Sequence, residues 1–151
     1  MANVAVAPVP AEPAGSRRVD LKVGFACNNH CVFCVQGDKR ARHAPRPAEE
    51  LRRILREESR SADGVVFTGG EPTVRRDLPE LVAYARELGY RTIQIQTNGR
   101  MFAHKAYVRR LVECGANEFS PALNGHLPEL HDFLTAAPGA MLPRLTPRSV
   151  A

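Results

Sequence analysis

The chain has 151 residues, of which 44% are hydrophobic and 25% are charged. This length is that of one ordinary domain, and no apolar run approaches the roughly 20 residues that a membrane span needs, so a multidomain machine and a membrane protein are excluded. The net charge of +5 is carried by scattered arginines with acidic residues between them, a pattern that disfavours a nucleic-acid-binding surface.

Cysteine spacing indicates a reducing compartment. Three of the four cysteines, Cys27, Cys31 and Cys34, crowd into eight residues, which does not resemble the framework of a disulfide-bonded secreted protein. The first 16 residues have three prolines and no basic region before their apolar stretch, so they are not typical of a secretion signal. We therefore expect a cytoplasmic protein.

Hydrophobic periodicity predicts strands and helices in alternation. Taken in chain order, the elements are a strand over Val19–Ala26, a helix starting at Pro47, a strand at Val65–Phe67, a helix over Leu78–Leu88, a strand over Arg91–Thr97, a helix around Val108–Val112 that closes at Gly115, a strand over Asn117–Leu123 and a short helix around Leu127–Leu134. Asp77 and Glu80 have the spacing of a capping box at the start of the second helix. The domain organisation expected is a disordered tail over residues 1–18, a core over 19–139 and an irregular tail over 140–151.

Alternating strands and helices predict an α/β fold with parallel strands joined by right-handed crossovers. In such a sheet every loop that follows a strand emerges at the same edge, and ligands bind at that edge. The unusual residues of this chain occur in those loops: the cysteines follow the first strand, Gly-Gly-Glu the second, Thr-Asn-Gly the third and Asn-Gly-His the fourth. Four polar loops are therefore expected to converge on one site.

The loop Cys27-Asn28-Asn29-His30-Cys31-Val32-Phe33-Cys34 predicts a metal site. Three thiolates so close together repel one another unless a metal neutralises them. A 4Fe-4S cluster takes four cysteines, so a three-cysteine loop would leave one iron open to another ligand. Zinc would instead take a fourth protein ligand, for which the candidates are His30, His43 and Cys114, although Cys114 lies on an apolar helix face and is expected in the core.

The second polar loop, Thr68-Gly69-Gly70-Glu71-Pro72, predicts a turn that a ligand can approach. Its two glycines remove side chains that would keep a ligand from the backbone, and its carboxylate suits a cationic group. A phosphate-binding loop is excluded, because the lysine and the longer glycine spacing of that motif are missing.

Together the two motifs resemble those of the radical S-adenosylmethionine (radical SAM) enzymes. In that family a CxxxCxxC loop after the first strand binds a 4Fe-4S cluster, which implies Cys27, Cys31 and Cys34 as ligands, with Phe33 as the aromatic residue before the third cysteine. The backbone of the Gly-Gly-Glu motif contacts the methionine amino group of S-adenosylmethionine (SAM), and a Thr-Asn-Gly often follows the third strand. The cofactor-binding residues implied are Phe33, Gly69, Gly70, Glu71, Thr97 and Asn98.

The resemblance implies an enzyme with two cofactors, a 4Fe-4S cluster and SAM. One electron from the reduced cluster would break a carbon-sulfur bond of SAM, and the 5'-deoxyadenosyl radical would take hydrogen from a substrate that the motifs do not identify. A reduced flavodoxin or ferredoxin type protein is the implied electron donor. The rival hypotheses are a small zinc-binding interaction module and a non-catalytic remnant that binds a cluster.

Two features depart from the family pattern. Many relatives read Ser-Leu-His-Gly or Ser-Leu-Asp-Gly after the fourth strand, whereas this chain reads Ala122-Leu123-Asn124-Gly125. Family barrels have six β/α units, so a partial (β/α) barrel truncated to about four units is expected, with the fourth strand as an exposed edge. Such a chain would be a fragment of a split enzyme, a half completed by a second chain, or a remnant.

The remaining polar residues are expected on the surface. His126 and His131 flank a polar helix start and are expected to be solvated, with contact to substrate as the alternative. The basic residues after the cysteines are expected in a solvated loop, with an acidic substrate or an electron donor as the alternative partner; these are Lys39, Arg40, Arg42 and Arg46.

Overall fold

A computed structural model describes residues 16–37 and 39–140. Strands and helices follow one another in the predicted order. The strands are β1 (Arg18–Lys22), β2 (Gly64–Thr68), β3 (Thr92–Thr97) and β4 (Glu118–Pro121). The helices are α1 (Lys39–Arg42), α2 (Ala48–Glu58), α3 (Leu78–Glu87), α4 (Lys105–Cys114) and α5 (Pro128–Thr135), with short 3-10 turns at Pro72–Val74 and Arg100–Ala103.

The four strands form one sheet in the order β1-β2-β3-β4, and each neighbouring pair is parallel. The predicted α/β fold with a partial barrel of parallel strands is thereby confirmed. Register pairs Lys22 with Thr68 and Thr97 with Pro121, so the strand ends lie at a common edge. The loops that carry the cysteines, Gly-Gly-Glu and Thr-Asn-Gly all leave from that edge.

One face of the sheet is covered by helices. Alternation along the strands places Leu21, Phe67, Ile93 and Ile95 on this face, where each is at most 2% exposed. They pack against the apolar stripes of α2, α3 and α4 in a single cluster that includes Leu51, Leu55, Leu81 and Leu111. Burial of apolar surface at about 25 cal/mol per Å² makes this layer the main source of stability. The other face carries the polar residues that alternate with these, among them Arg18, Asp20 and Gln94.

The first strand ends at Lys22, earlier than predicted, although the chain stays beside the segment that follows β2. Val23 N–H donates to Thr68 O at 2.9 Å, Gly70 N–H donates to Gly24 O at 2.9 Å, and Glu71 N–H donates to Ala26 O at 2.8 Å. The segment leading to the cysteines therefore runs against the Gly-Gly-Glu turn, in an irregular conformation that begins at Gly24, where φ is +151°.

The predicted capping box at Asp77 is wrong. Its side chain makes no hydrogen bond to the start of α3. Instead it accepts from Arg75 Nε at 2.9 Å and from Arg75 Nη2 at 2.6 Å, and these hydrogen bonds lower the pKa of the Asp77 carboxyl. A charged partner two residues away competes successfully with a backbone N–H for the same carboxylate.

The predicted tails fall largely outside the described part of the chain. Residues 1–15 and 141–151 are not described, so the disorder predicted there stays a prediction. None of the helices in residues 16–37 and 39–140 has the length and apolar content that crossing a bilayer requires.

Candidate cofactor site

The loops at the carboxyl edge of the sheet surround one pocket of about 730 Å³. All the residues that the family resemblance implied as cluster or cofactor ligands line it, and Ala122 and Asn124 add the loop after β4. The predicted convergence of four polar loops is thereby confirmed. The residues brought together are Cys27, Cys31, Phe33, Cys34, Gly69, Gly70, Glu71, Thr97 and Asn98.

The cysteine loop is held in place by two arginines from other parts of the fold. Arg40, on α1, donates to Asn29 O and approaches Cys34 Sγ at 3.9 Å. Arg100, after β3, donates to Asn28 O at 2.5 Å and to Asn29 Oδ1 at 3.2 Å. Asn29 itself is 1% exposed. Sequence reasoning placed Arg40 in a solvated loop and did not consider Arg100, because neither has a local sequence signal for this contact.

The three pocket cysteines are reduced, half-buried and close enough to influence one another electrostatically. Burial raises the pKa of the Cys31 thiol, and the charges of Cys27 and Cys34 raise it further. Yet within residues 16–37 and 39–140, no three His, Cys, Asp or Glu side chains are close enough together to hold one metal ion.

The two glycines of the second loop allow two backbones to pack against each other. A Cβ at Gly69 would lie 2.5 Å from Gly24 O, and one at Gly70 would lie 2.5 Å from Phe25 O and nearer still to Ala26 O. Gly69 also has a φ of +139°, which favours glycine. The glycines therefore serve first to seat the turn against the entrance to the cysteine loop.

Glu71 is a buried junction between loops. It is 2% exposed, and its Oε1 accepts from Thr73 N at 3.0 Å, from Thr73 Oγ1 at 2.5 Å and from Thr97 Oγ1 at 2.6 Å. Its Oε2 accepts from Asn98 N at 2.6 Å. Since protein donors occupy both oxygens, the part of this motif left for a ligand is the backbone, rather than the carboxylate that sequence reasoning matched to a cationic group.

Asn98 connects the loop after β3 to the first two cysteine-loop residues. Its Nδ2 donates to Asn28 Oδ1 at 2.7 Å and lies 3.9 Å from Cys27 Sγ. Gly99, at φ +78°, turns the chain so that Arg100 N donates to Asn98 Oδ1 at 3.1 Å. The amide of Asn98 is thus oriented toward a thiol that the sequence predicts as a ligand.

The loop after β4 is fixed by a histidine that was expected on the surface. His131 is 2% exposed, so that expectation is wrong, whereas His126 is exposed. His131 Nδ1 accepts from Asn124 N at 3.2 Å, and a Cβ at Gly125 would lie 2.7 Å from His131 N. The apolar residues of this segment gave no such signal, because Leu127, Leu130 and Phe133 are exposed, whereas His131 and Thr135, four residues apart, share the buried face of the helix.

The other candidate metal ligands lie away from the pocket lining. Cys114 packs against the helical core, as expected. The ring of His43 lies 5.0 Å from the ring of Phe25, and His30 is exposed. Lining residues that sequence reasoning did not single out include Asp20, Lys22, Val35, Gln36 and Gln96.

The family model described as "Radical SAM superfamily" matches residues 21–139. Among curated proteins, the chain is 37% identical over 100 residues to the 7,8-dihydro-6-hydroxymethylpterin dimethyltransferase of Methanocaldococcus jannaschii, covering 64% of this chain and 20% of that protein. It is 35% identical over 116 residues to the Fe-coproporphyrin III synthase of Methanosarcina barkeri, covering 76% of this chain and 28% of that protein. The chain thus spans less than a third of the length of either relative.

Solved structures include proteins with the same fold. SuiB of Streptococcus suis, in its structure bound to S-adenosylmethionine, superposes with a TM-score of 0.65 and 23% sequence identity. The superposition covers 82% of this chain and 27% of SuiB. At this level of identity the likeness establishes the fold of the four-stranded sheet and its helices.

Proposed function

This chain belongs to the radical SAM superfamily, and we propose that it binds a 4Fe-4S cluster and SAM in the pocket described above and cleaves SAM reductively. The observation that carries the proposal is the placement of three free thiols beside the Gly69–Glu71 backbone in one pocket. When bound, such a cluster supplies one electron to the sulfonium of SAM, and the resulting 5'-deoxyadenosyl radical takes hydrogen from a substrate.

The donor set fits a cluster with one open iron. Cys27, Cys31 and Cys34 would hold three irons through their thiolates, and all three line the same pocket as Gly69, Gly70 and Glu71. The Arg40 guanidinium, 3.9 Å from Cys34 Sγ, would offset part of the negative charge of the thiolates. The backbone of Gly69 and Gly70 would face the methionine end of SAM, while Phe33 and Asn98 form the adjacent walls.

The protein's own contribution is to hold these groups and exclude competing reactions. The Glu71 junction and the Arg100 contacts tie three loops together before any ligand arrives. The structure of SuiB bound to SAM supports SAM as the ligand of this fold. An electron donor of the flavodoxin or ferredoxin type is proposed to reach the exposed cysteine loop, where Val35 is 88% exposed.

The substrate is proposed to occupy the part of the pocket that the cofactor loops do not fill. The names of the two curated relatives offer different classes, a reduced pterin and an iron porphyrin.

Anaerobic reconstitution with iron and sulfide tests the proposal. We expect about four irons and four sulfides per chain and a visible absorption spectrum typical of iron-sulfur proteins. We also expect 5'-deoxyadenosine to form when SAM and dithionite are added. The variants Cys27→Ser, Cys31→Ser and Cys34→Ser are each expected to lose cluster and product, whereas the matched control Cys114→Ser keeps both. One zinc per chain without visible absorption would overturn the proposal, and a cluster without 5'-deoxyadenosine would indicate a non-catalytic remnant.

A further inference from the structure

Arg40 is a half-buried cation in the lining of the pocket. Its Nη1 donates to Asn29 O, and its Nη2 lies 3.9 Å from Cys34 Sγ. Its Nε is buried and has no hydrogen-bond partner in the described part of the chain. No carboxylate of residues 16–37 and 39–140 lies within ion-pair distance of this guanidinium.

Other partly buried arginines of the chain have a carboxylate partner. Arg18 on β1 reaches Glu118 on β4, with Nη1–Oε2 at 2.5 Å and Nη2–Oε1 at 3.0 Å, and Arg75 donates to both oxygens of Asp77. Removing a cation from water without a counter-charge is unfavourable. We therefore expect the counter-charge of Arg40 among the groups that its guanidinium faces, and one of these is a thiol.

The charge of Arg40 acts on two of the three pocket cysteines. Besides its approach to Cys34 Sγ, it influences Cys31: burial raises the pKa of that thiol, and the charge of Arg40 acts in the opposite direction. Arg100 also holds the cysteine loop, but it donates to Asn28 O and Asn29 Oδ1 and makes no hydrogen bond to a sulfur of the described residues. Of these two arginines, Arg40 is thus the one that places positive charge at the sulfurs.

We propose that Arg40 raises the reduction potential of the 4Fe-4S cluster by holding its positive charge beside the Cys34 sulfur. One-electron reduction adds negative charge to a group that three thiolates already surround, so a nearby cation stabilises the reduced form more than the oxidised form. Partial burial strengthens this effect, because water and salt screen the interaction less. The inference rests on the proposed function, since it requires a cluster on these cysteines.

The carboxylate of bound SAM is the other anion that this guanidinium could meet, because Arg40 lines the pocket. The two roles differ in what they change. A charge beside the sulfur shifts the reduction potential when no SAM is present. A charge that serves only the carboxylate changes the affinity for SAM and leaves that potential unaltered.

A redox titration of the reconstituted full chain without SAM, followed by the EPR signal of the reduced cluster, tests the inference. We expect Arg40→Met to make reduction roughly tenfold less favourable, a fall of about 59 mV in midpoint potential for one electron. Arg40→Lys keeps the charge and should recover most of this shift. The control is Lys39→Met, which removes the same charge from the exposed neighbouring residue of α1, whose Nζ lies over the Phe25 ring at 6.0 Å. Its potential should stay near that of the wild type.

Three results would each overturn the inference: an unchanged potential in Arg40→Met, an equal fall in Lys39→Met, or a fall in Arg40→Lys as large as in Arg40→Met. If Arg40→Met takes up less iron than the wild type, Arg40→Gln replaces it as the variant without the charge, under the same criteria. A wild-type chain that binds no cluster would contradict the proposed function and this inference with it. A wild-type cluster whose potential does not respond to Arg40 would contradict this inference alone.

Discussion

Glu71 is the residue on which the arrangement of the pocket depends most directly. Its two oxygens accept four hydrogen bonds, two of them from the backbone N–H groups of Thr73 and Asn98. In Glu71→Gln, either orientation of the amide turns an NH2 group toward one of these N–H donors. The hydroxyls of Thr73 and Thr97 can rotate, but a backbone N–H cannot, so at least one buried donor loses its acceptor.

We therefore expect Glu71→Gln to lower the free energy of unfolding by about 2 kcal/mol, measured by urea denaturation of the full chain. Glu87→Gln, the same change at an exposed position of α3, should stay within about 0.5 kcal/mol of the wild type. If the two variants unfolded at the same urea concentration, the description of Glu71 as a junction would be incorrect.

For single residues, the sequence predicted which side chains lie together in the pocket but not the contacts that some of them make. The cysteines, Gly-Gly-Glu and Thr-Asn-Gly were recognisable because each is a compact motif at the end of a strand. The role of Glu71 was not, because its partner Thr97 lies 26 residues away in the chain. Asp20 and Lys22 looked like the ordinary polar half of an alternating strand, and no local pattern showed that they line the pocket.

Among the elements, the Gly-Gly-Glu turn and the segment entering the cysteine loop behave as one unit. Gly70→Ala would force a Cβ to within 2.5 Å of Phe25 O, and backbone atoms cannot move aside as a flexible side chain can. We expect a loss of about 1–3 kcal/mol of stability and a lower iron content after reconstitution. The matched control is Gly37→Ala, whose Cβ would meet only Cys34 O at 3.5 Å. Equal iron content in the two variants would contradict this coupling.

The last residues of helix α5 accept hydrogen bonds from the cysteine loop. His30 N–H donates to Thr135 O and Val32 N–H to Leu134 O, both at 3.0 Å, while His131 holds the amide of Asn124. His131→Phe keeps an aromatic ring but removes the acceptor. We expect faster hydrogen exchange at the amides of Asn124, His30 and Val32 than in the wild type, measured by NMR or mass spectrometry, and no change in the control His126→Phe at an exposed position. Faster exchange in both variants would assign the effect to helix stability instead.

Element type was predictable because strands and helices are amphipathic with different periods. The ends of the elements were harder to predict, because tertiary contacts determine them. The backbone after β1 becomes irregular where it accepts hydrogen bonds from Gly70 and Glu71, the residues that follow β2. Arg75 binds the carboxylate of Asp77, which therefore does not cap α3. Helix α5 was predicted from its periodicity, but its contact with the cysteine loop joins residues about a hundred positions apart, which no local pattern reveals.

In the whole molecule, the two faces of the sheet differ in chemistry. The buried face holds the helices through apolar side chains, and the opposite face carries polar side chains. On that polar face the Arg18–Glu118 pair spans from β1 to β4, the two outer strands of the described sheet. Such a span requires a curved sheet, and Gly64 leaves room for it, because a Cβ there would lie 2.8 Å from Arg18 Cγ.

This ion pair is expected to stabilise the curvature on which the pocket depends. The Arg18 side chain is 24% exposed and that of Glu118 is 40% exposed, so the pair is partly screened, but its two parallel hydrogen bonds make it stronger than an ordinary surface pair. A double-mutant cycle with Arg18→Met and Glu118→Gln, read by urea denaturation, should give a coupling energy of about 1 kcal/mol that decreases in 1 M salt. The exposed pair Arg53–Glu57 on α2 is the control, with an expected coupling of about 0.3–0.5 kcal/mol. If the coupling energy between Arg18 and Glu118 were no larger than that of the control pair, packing against the helical layer alone would hold the two outer strands in place.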